Sequence, residues 1–154
     1  MKLVVQRAAS ARVMVENRIV GAINRGLVVL VGIHENDTEA EAQWLARKLV
    51  RLRIFEDEHG KMNISAADIG GGLLLISQFT LYGDVRKGTR PSFIGAAKPE
   101  KGERLYDAFV AEVARLHTRG PVETGTFGAM MQVELINDGP VTLVMEKESS
   151  SSSS

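Results

Sequence analysis

The first third of the sequence consists of short apolar segments separated by turn-forming residues, and this pattern requires a β-rich fold. Residues 12–16 place Val13 and Val15 on one face of a strand, with the period of two that a half-buried strand needs. Residues 27–33 are almost continuously apolar, as expected of a central strand. Five further segments are predicted strands: residues 2–7, 19–23, 73–79, 131–136 and 141–145.

Two other segments have helical periodicity. The first follows Asp37 or Thr38, either of which can cap a helix, and it repeats apolar side chains at helical spacing: Ala42, Leu45, Ala46 and Leu49. The second extends from Pro99 to Leu116. Two helices with seven or eight strands predict an α+β fold. Because so many strands need closed or covered edges, we expect a curved, barrel-like, mostly antiparallel sheet with both helices packed outside it.

Length and charge limit the class of protein. A chain of 154 residues corresponds to one domain, which we expect to span residues 1–147. The serine-rich residues 148–154 are expected to be disordered. Nineteen basic residues balance nineteen acidic ones, which argues against a generally basic nucleic-acid binder but allows a local basic patch.

Several kinds of chemistry are excluded or disfavoured by residue usage. The chain has no cysteine, which excludes disulfides, thiolate catalysis and cysteine metal sites. Its three histidines are far apart without ligand spacing, so no metal and no cofactor are predicted. The apolar runs are too short for a signal-peptide core or a membrane span. We therefore expect a cytoplasmic protein that does not contact a membrane.

The sequence SQFTL at residues 77–81 places three hydrogen-bonding side chains at the end of an apolar strand. The strand either emerges at the surface there or lines a pocket with its last residues. In the second case, free backbone N–H groups could hold a carbonyl oxygen as it gains negative charge.

Residues 137–142, NDGPVT, are the second unusual segment. A hairpin turn is the simplest interpretation. Gly139-Pro140 is, however, an unusual link between two apolar strands, and a cis peptide bond between these two residues is the alternative.

Residues 84–101 form a glycine-containing segment with five basic and two acidic residues. Arg86, Lys87 and Arg90 are candidate ligands for phosphates, and an ordinary solvated surface is the alternative. Four further cations, which could extend such a surface, crowd the end of the first predicted helix: Arg47, Lys48, Arg51 and Arg53.

With SQFTL and N-x-G-P-V-T both intact, the chain resembles the D-aminoacyl-tRNA deacylase family. Supporting segments occur in the family's order over about residues 1–147: residues 6–7, 53–55, 60–63, 90–93 and 131–133. The resemblance implies a homodimer with its active sites at the subunit interface. It also implies hydrolysis of the ester that joins a D-amino acid, or mischarged glycine, to the terminal adenosine of tRNA. Neither DNA nor a cofactor is implied.

The resemblance assigns roles to individual residues. Gly139-Pro140 matches a cis motif that reaches into the other subunit's pocket and rejects L-amino acids, and Arg7 matches the arginine that braces this motif. Phe79 is expected to offer its backbone N–H to the substrate, beside Gln78 and Thr80. Substrate-binding positions are matched by three further residues: Ser77, Phe127 and Met131. Catalysis is expected to depend largely on the 2′-hydroxyl of the tRNA.

Two other interpretations stay open at this point. Thr80 could be the nucleophile of a conventional esterase, although no histidine or lysine neighbours it in sequence to act as its base. That mechanism predicts a covalent acyl-enzyme. The chain could instead be a non-catalytic RNA- or ligand-binding barrel, although it has few aromatic residues for stacking bases. Release of free amino acid from D-aminoacyl-tRNA separates the enzyme from the binding protein.

Overall fold

The computed structural model describes residues 1–150. Within these residues the chain forms eight strands, two α-helices and one short 3₁₀ helix at Phe79–Tyr82. The helices are α1 (Glu39–Arg51) and α2 (Pro99–Leu116). The strands are β1 (Lys2–Val15), β2 (Arg18–Ile23), β3 (Gly26–Gly32), β4 (Phe55–Glu56), β5 (Met62–Ile64), β6 (Gly72–Ser77), β7 (Val122–Thr124) and β8 (Gln132–Glu146).

The main sheet is organised around β1. One edge of β1 pairs with β3 and then with β2, while β8 pairs along its other edge, and all three pairings are antiparallel. The pairings of β3 with β6 and of β6 with β7 are parallel. The sheet curls until β2 approaches β7, where a Cβ on Gly21 would lie 2.4 Å from the carbonyl oxygen of Thr124. The predicted α+β fold with a barrel-like sheet and two helices is therefore confirmed.

Two pairs of predicted strands are single long strands in the structure. Residues 2–7 and 12–15 both belong to β1, and residues 132–136 and 141–145 both belong to β8, so the predictions included Glu16 and Met131 in excess. The interpretation of 137–142 as a hairpin turn was therefore wrong. The register of β1 with β8 shifts between Gln6, which pairs with Thr142, and Ala8, which pairs with Asn137, so residues 138–141 bulge out of β8 opposite Arg7 as a loop within the strand.

The apolar side chains form two clusters, one on each side of the sheet. Leu73 and Leu75 of β6 belong to the larger cluster, which also contains the buried faces of α1 and α2. Leu74 and Ile76 belong to the smaller cluster, which β1, β2 and β3 complete inside the curved sheet. This alternation fixes which side chains at the end of β6 point towards the helices and which point away from them.

The start of α1 uses both of its candidate capping residues, in different ways. Thr38 is the N-cap, and a capping box links it to Glu41. Asp37 is buried instead, and it accepts hydrogen bonds of 2.7 Å from the Met1 ammonium group and from the backbone N–H of His34. This arrangement ties the first turn of α1 to the beginning of β1 and to the segment that follows β3.

The serine-rich segment begins inside the described residues. Ser149 is only 5% exposed, whereas the predicted disorder of residues 151–154 lies outside the part of the chain that the structure describes. Over residues 1–150, no helix combines the length and apolar character that a membrane span requires.

Candidate functional site

The strand β6 ends at Ser77, two residues earlier than predicted. The backbone N–H of Gln78 still donates to the carbonyl oxygen of Val31 at 2.7 Å, and the chain then leaves the sheet. Gln78 has φ −147° and ψ 84°, and the 3₁₀ helix starts at the next residue. The sequence SQFTL therefore spans the change from strand to helix rather than the end of a strand.

This change of direction leaves two backbone donors unused. Among the hydrogen bonds of residues 1–150, neither the N–H of Phe79 nor that of Thr80 has an acceptor, and no side chain caps the 3₁₀ helix. Two adjacent N–H groups just beyond the end of a strand can bind the oxygen of a carbonyl group. The backbone at this point is thus suited to stabilise an oxygen on which negative charge develops.

The side chains around these donors are partly exposed. The ring of Phe79 is 59% exposed and makes an edge-to-face contact with Phe93 at a centroid distance of 5.2 Å. The side-chain amide of Gln78 donates a hydrogen bond to the hydroxyl oxygen of Thr80. An amide cannot accept the proton of that hydroxyl as a general base would, so this contact does not activate Thr80 as a nucleophile.

Gly139-Pro140 lies in a loop that is fixed from both sides. Arg7 is 6% exposed, and its guanidinium donates to the carbonyl oxygens of Asp138 and Ile54, each at 2.8 Å. The side-chain oxygen of Asn137 accepts a 2.7 Å hydrogen bond from the backbone N–H of Val141, which closes the loop. The Gly139-Pro140 bond is cis, as the family resemblance implies.

The two motifs are far apart within one chain. Ser77 pairs with Val31 and Val31 pairs with Leu3, so these residues lie at one level of the sheet. The 137–142 loop lies opposite Arg7, further along β1. Along the surface of the curved sheet, the motifs are therefore separated by about 13 Å in the strand direction and by about 14 Å across β8, β1, β3 and β6.

The two predicted substrate-binding residues downstream of α2 approach β6 from different sides. Phe127 packs against the larger cluster, and its ring lies 5.9 Å from that of Tyr106. Met131 packs against the smaller cluster instead. The sequence analysis did not single out Tyr106, whose hydroxyl donates to the carbonyl oxygen of Leu75 at 2.7 Å and so ties α2 to β6 two residues before Ser77. A tyrosine on the buried face of a helix needs such a partner, and that requirement could have identified it.

The three basic candidates of the 84–101 segment differ in their surroundings. Arg86 is paired with Asp84, and the side-chain hydrogen bond from Arg86 is the main cause that lowers the pKa of Asp84 to about 2. Lys87 and Arg90 are exposed and have no ion pair within the described part of the chain. Arg86 is therefore already neutralised, and Lys87 and Arg90 are the better placed of the three to meet phosphates.

The surroundings of the site contain no obvious metal centre. Among residues 1–150, no group of three or more acidic, histidine or cysteine residues is arranged to hold a metal ion. A cavity of about 870 Å³ borders the 3₁₀ helix at Leu81 and Tyr82 and continues towards Lys2 and His34. Burial is the main cause that raises the pKa of the Tyr82 hydroxyl above its usual value.

The curved sheet with two helices packed against it is shared with small α+β proteins of known structure. The solved structure of a "c-Myc DNA Unwinding Element Binding Protein" is similar at a TM-score of 0.91 and 41% identity, covering 97% of this chain and 100% of that one. A structure described as a "probable eukaryotic D-amino acid tRNA deacylase" shares the fold at a TM-score of 0.81 and 20% identity, covering 94% and 97%.

Sequence comparison identifies the family. The model of the D-Tyr-tRNA(Tyr) deacylase family matches residues 4–146, so the chain belongs to this family. A D-aminoacyl-tRNA deacylase of Desulfatibacillum aliphaticivorans is 57% identical over 148 residues, covering 96% of this chain and 100% of the relative. The enzyme of the same name from Halalkalibacterium halodurans is 59% identical with the same coverage.

Proposed function

We propose that this chain hydrolyses the ester bond between a D-amino acid and the terminal adenosine of tRNA, and so removes D-amino acids from mischarged tRNA. Its family membership makes it an aminoacyl-tRNA deacylase, and hence a hydrolase. The observation that carries the proposal is the pair of N–H groups at Phe79 and Thr80, which have no acceptor among residues 1–150 and lie within the intact SQFTL segment. These donors fit the carbonyl oxygen of an aminoacyl ester.

The proposed mechanism depends on positioning. The N–H groups of Phe79 and Thr80 bind the ester carbonyl and stabilise the negative charge that its oxygen gains during attack. Because an aminoacyl ester is already reactive, orientation and a few donors supply much of what the reaction needs. The attacking water is assisted largely by the 2′-hydroxyl of the tRNA. Gln78 orients Thr80 and provides no base to it.

The proposal includes a homodimer in which each pocket receives the 137–142 loop of the other subunit. The separation of the two motifs within one chain supports it, because a second copy is the simplest way to bring them together. Large apolar side chains on β8 are exposed, as expected of a strand that a partner covers: Val133, Ile136, Leu143 and Val144. Gly139-Pro140 would then form the wall that excludes L-amino acids.

Several finer statements belong to the same proposal. Phe127, Met131 and Ser77 line the pocket, while Lys87 and Arg90, with a smaller contribution from Arg86, contact tRNA phosphates. Glycyl-tRNA is a second substrate, because glycine has no side chain for the wall to exclude. The protein acts in the cytoplasm, and residues 1–147 form its single domain. That it binds no DNA stays a prediction.

The direct test is to incubate the purified chain with D-Tyr-tRNA and to measure free D-tyrosine. Release that depends on enzyme concentration supports the proposed activity. Binding of the tRNA without release would instead identify a non-catalytic RNA-binding barrel.

Thr80→Ala is expected to retain most of the deacylase activity, with kcat within about tenfold of the unchanged protein. The reason is that the hydroxyl of Thr80 accepts from the Gln78 amide and has no base among the described residues, while its backbone N–H survives the substitution. The measurement is kcat on D-Tyr-tRNA, together with a search for a covalent acyl-enzyme by mass spectrometry. A fall of about 10⁴-fold or more in a folded variant would favour a threonine nucleophile.

Gly139→Ala is expected to lower D-Tyr-tRNA deacylation by about 10²-fold, because a loop displaced into the pocket moves the ester away from its donors, and a misplacement of about 1 Å can cost that much. Gly139 has φ +143°, which L-residues rarely adopt, and a Cβ would lie 2.7 Å from Cγ2 of Val141 and 2.9 Å from its backbone nitrogen. The loop therefore has to move. Gly60→Ala is the matched control, because Gly60 also has a positive φ, of +74°, but open space around it.

The same variant tests whether the loop acts across subunits. Gly139→Ala subunits are mixed with subunits that lack the Phe79 donor. Each mixed dimer should contain one intact site, in which the Gly139→Ala subunit supplies the donor and the Phe79 variant supplies the 137–142 loop. Recovery of activity on mixing supports a cross-subunit site. If each variant stays inactive in verified mixed dimers, the loop serves the pocket of its own chain.

A further inference from the structure

A shallow groove on the outer side of α1 has an unusual composition. Its volume is about 420 Å³, and it is lined by six residues: Trp44, Arg47, Lys48, Arg51, Leu52 and Arg53. Four of these residues are cationic and none is acidic, although the whole chain has no net charge. We refer to these six residues as the α1 basic face. It lies outside the SQFTL and Gly-Pro motifs, on a helix that the proposed mechanism does not use.

The cations of the α1 basic face are exposed and are not neutralised by the chain itself. Within the part of the chain that the structure describes, none of Arg47, Lys48, Arg51 and Arg53 forms an ion pair, whereas three other exposed arginines do: Arg12, Arg86 and Arg115. The carboxylate of Glu112 does not change this balance. A hydrogen bond from Arg115 is the main favourable contact that lowers the pKa of Glu112, and Arg47 adds only a weaker contribution.

Helix stability accounts for only part of this charge. Lys48 and Arg51 lie in the last turn of α1, where the helix dipole favours cations. Arg47 lies one turn before Arg51 on the same side of the helix, and a like-charge pair at this spacing costs about 0.2–0.5 kcal/mol. Arg53 lies beyond the end of the helix, where it bonds the neutral side chain of Asn63. Hydrogen bonds from Ser65 are the main cause that lowers the pKa of Asp68, and Arg53 adds only a weak contribution to it. Four cations around one groove, none of them in an ion pair among residues 1–150, thus point to an external polyanion.

An exposed indole lies at one end of the α1 basic face. Trp44 is 37% exposed, and two ammonium groups lie over its ring, that of Lys48 at 4.8 Å and that of Lys147 at 5.0 Å from the centroid. From Trp44 to Arg51 the helix rises by about 10 Å, so the cations follow a line of that length. The ring thus holds two ammonium groups beside the row of arginines, which adds Lys147 to the cations of this face.

The tryptophan end of this face lies near the C-terminal end of β6, where the proposed donors Phe79 and Thr80 follow. We refer to this end of the sheet as the catalytic edge. The backbone N–H of Lys147 donates to the carbonyl oxygen of Met1, and the neighbouring Lys2 pairs with Gly32 at the end of β3. The side chain of Lys2 reaches the carbonyl oxygen of Leu81 at 3.3 Å, directly after the proposed donors. The row of cations thus leads away from the place where the ester of the substrate would bind.

We propose that the α1 basic face, together with Lys147, binds the phosphate backbone of the acceptor arm of tRNA. This inference rests on the proposed function, because it assumes that the aminoacylated 3′ end of a tRNA enters at the catalytic edge. The acceptor arm is the part of the tRNA that continues from that end, and its regular phosphates match a line of cations that the described chain does not neutralise. An acidic protein is the competing partner for such a surface.

The test uses a triple variant, Arg47→Gln, Lys48→Gln and Arg51→Gln, in the full chain. Glutamine removes the charges while keeping a good helix-forming residue. The matched control replaces three exposed cations elsewhere, by Arg18→Gln, Lys61→Gln and Arg104→Gln, and so changes the net charge equally. For both variants, the Kd for deacylated tRNA is measured over a range of salt concentrations, after far-UV circular dichroism has verified the helix content.

In the α1 variant, the slope of log Kd against log salt is expected to fall by about 0.7–0.9 for each phosphate that the protein no longer neutralises, while the control keeps the original slope. For D-Tyr-tRNA, KM should rise at unchanged kcat. Hydrolysis of 3′-O-D-tyrosyl-adenosine, which lacks the acceptor arm, should be unaffected. An unchanged salt slope, or equal effects in the control variant, would overturn the proposal.

Because tRNA binding is measured without turnover, failure of the deacylase proposal itself would appear separately, as an absence of hydrolysis by the unchanged protein.

Discussion

Phe79→Pro is expected to lower kcat for D-Tyr-tRNA deacylation by about 10²–10³-fold, the effect of removing one donor to a developing oxyanion. Proline has no backbone N–H, and Phe79 is the first residue of the 3₁₀ helix, a position that proline tolerates. The preceding Gln78 has φ −147°, within the range found before proline, whereas its ψ of 84° has to increase by about 40° to reach that range. The substitution therefore removes the donor at the cost of a local adjustment at Gln78.

Phe79→Ala is the control, because it removes the exposed ring and keeps the N–H. A rate close to that of the unchanged protein for Phe79→Ala, and a large loss for Phe79→Pro, would assign the effect to the backbone donor. If both variants lose activity equally, the ring and its contact with Phe93 matter rather than the N–H. If neither loses activity, the carbonyl is bound elsewhere and the proposed mechanism fails.

The second large effect is expected in the choice between D- and L-amino acids. When the ester carbonyl and the amino group are both fixed, the chirality of the α-carbon determines where the side chain points. A rigid backbone wall on the L side then excludes every L-amino acid, whatever its side chain. Gly139-Pro140 suits this role, because glycine permits close approach, proline fixes its own φ, and Arg7 and Asn137 hold the loop.

Deacylation of D-Tyr-tRNA should therefore exceed that of L-Tyr-tRNA by more than the about 200-fold that one methylene contact can provide. D-Asp-tRNA and glycyl-tRNA should also react, since the wall does not distinguish D side chains and glycine has none. The four substrates are compared under one set of conditions. Similar rates for the two tyrosyl esters, or no reaction of glycyl-tRNA at high enzyme concentration, would contradict rejection by a backbone wall.

The local patterns of the sequence predicted much of the fold. The helix at Pro99–Leu116 begins and ends as its apolar spacing and its terminal residues indicate, and Thr38 caps α1 as one of the two proposed residues. Both are decided by neighbours within one or two turns, which a sequence pattern records. The bounds of the strands were less accurate: β1 continues through residues 8–11, β8 continues through Gly139-Pro140, and β4, β5 and β7 were not predicted. Pairing with partner strands decided these bounds, and local patterns do not record it.

In the candidate site, too, some features follow from the local sequence and others only from tertiary contacts. The sequence by itself determined which residues are chemically notable: the SQFTL and N-x-G-P-V-T segments and the absence of cysteine and of histidine clusters. It could not show that Arg7 donates to the carbonyl oxygen of Asp138 or that the amide of Gln78 donates to the hydroxyl oxygen of Thr80. Nor could it show that the SQFTL and N-x-G-P-V-T segments lie apart on the sheet of one chain. Those facts depend on contacts between residues distant along the chain and on the exit of the backbone from β6. Only the tertiary structure fixes them, because strand register and chain direction arise from packing of the whole sheet rather than from any local run of residues.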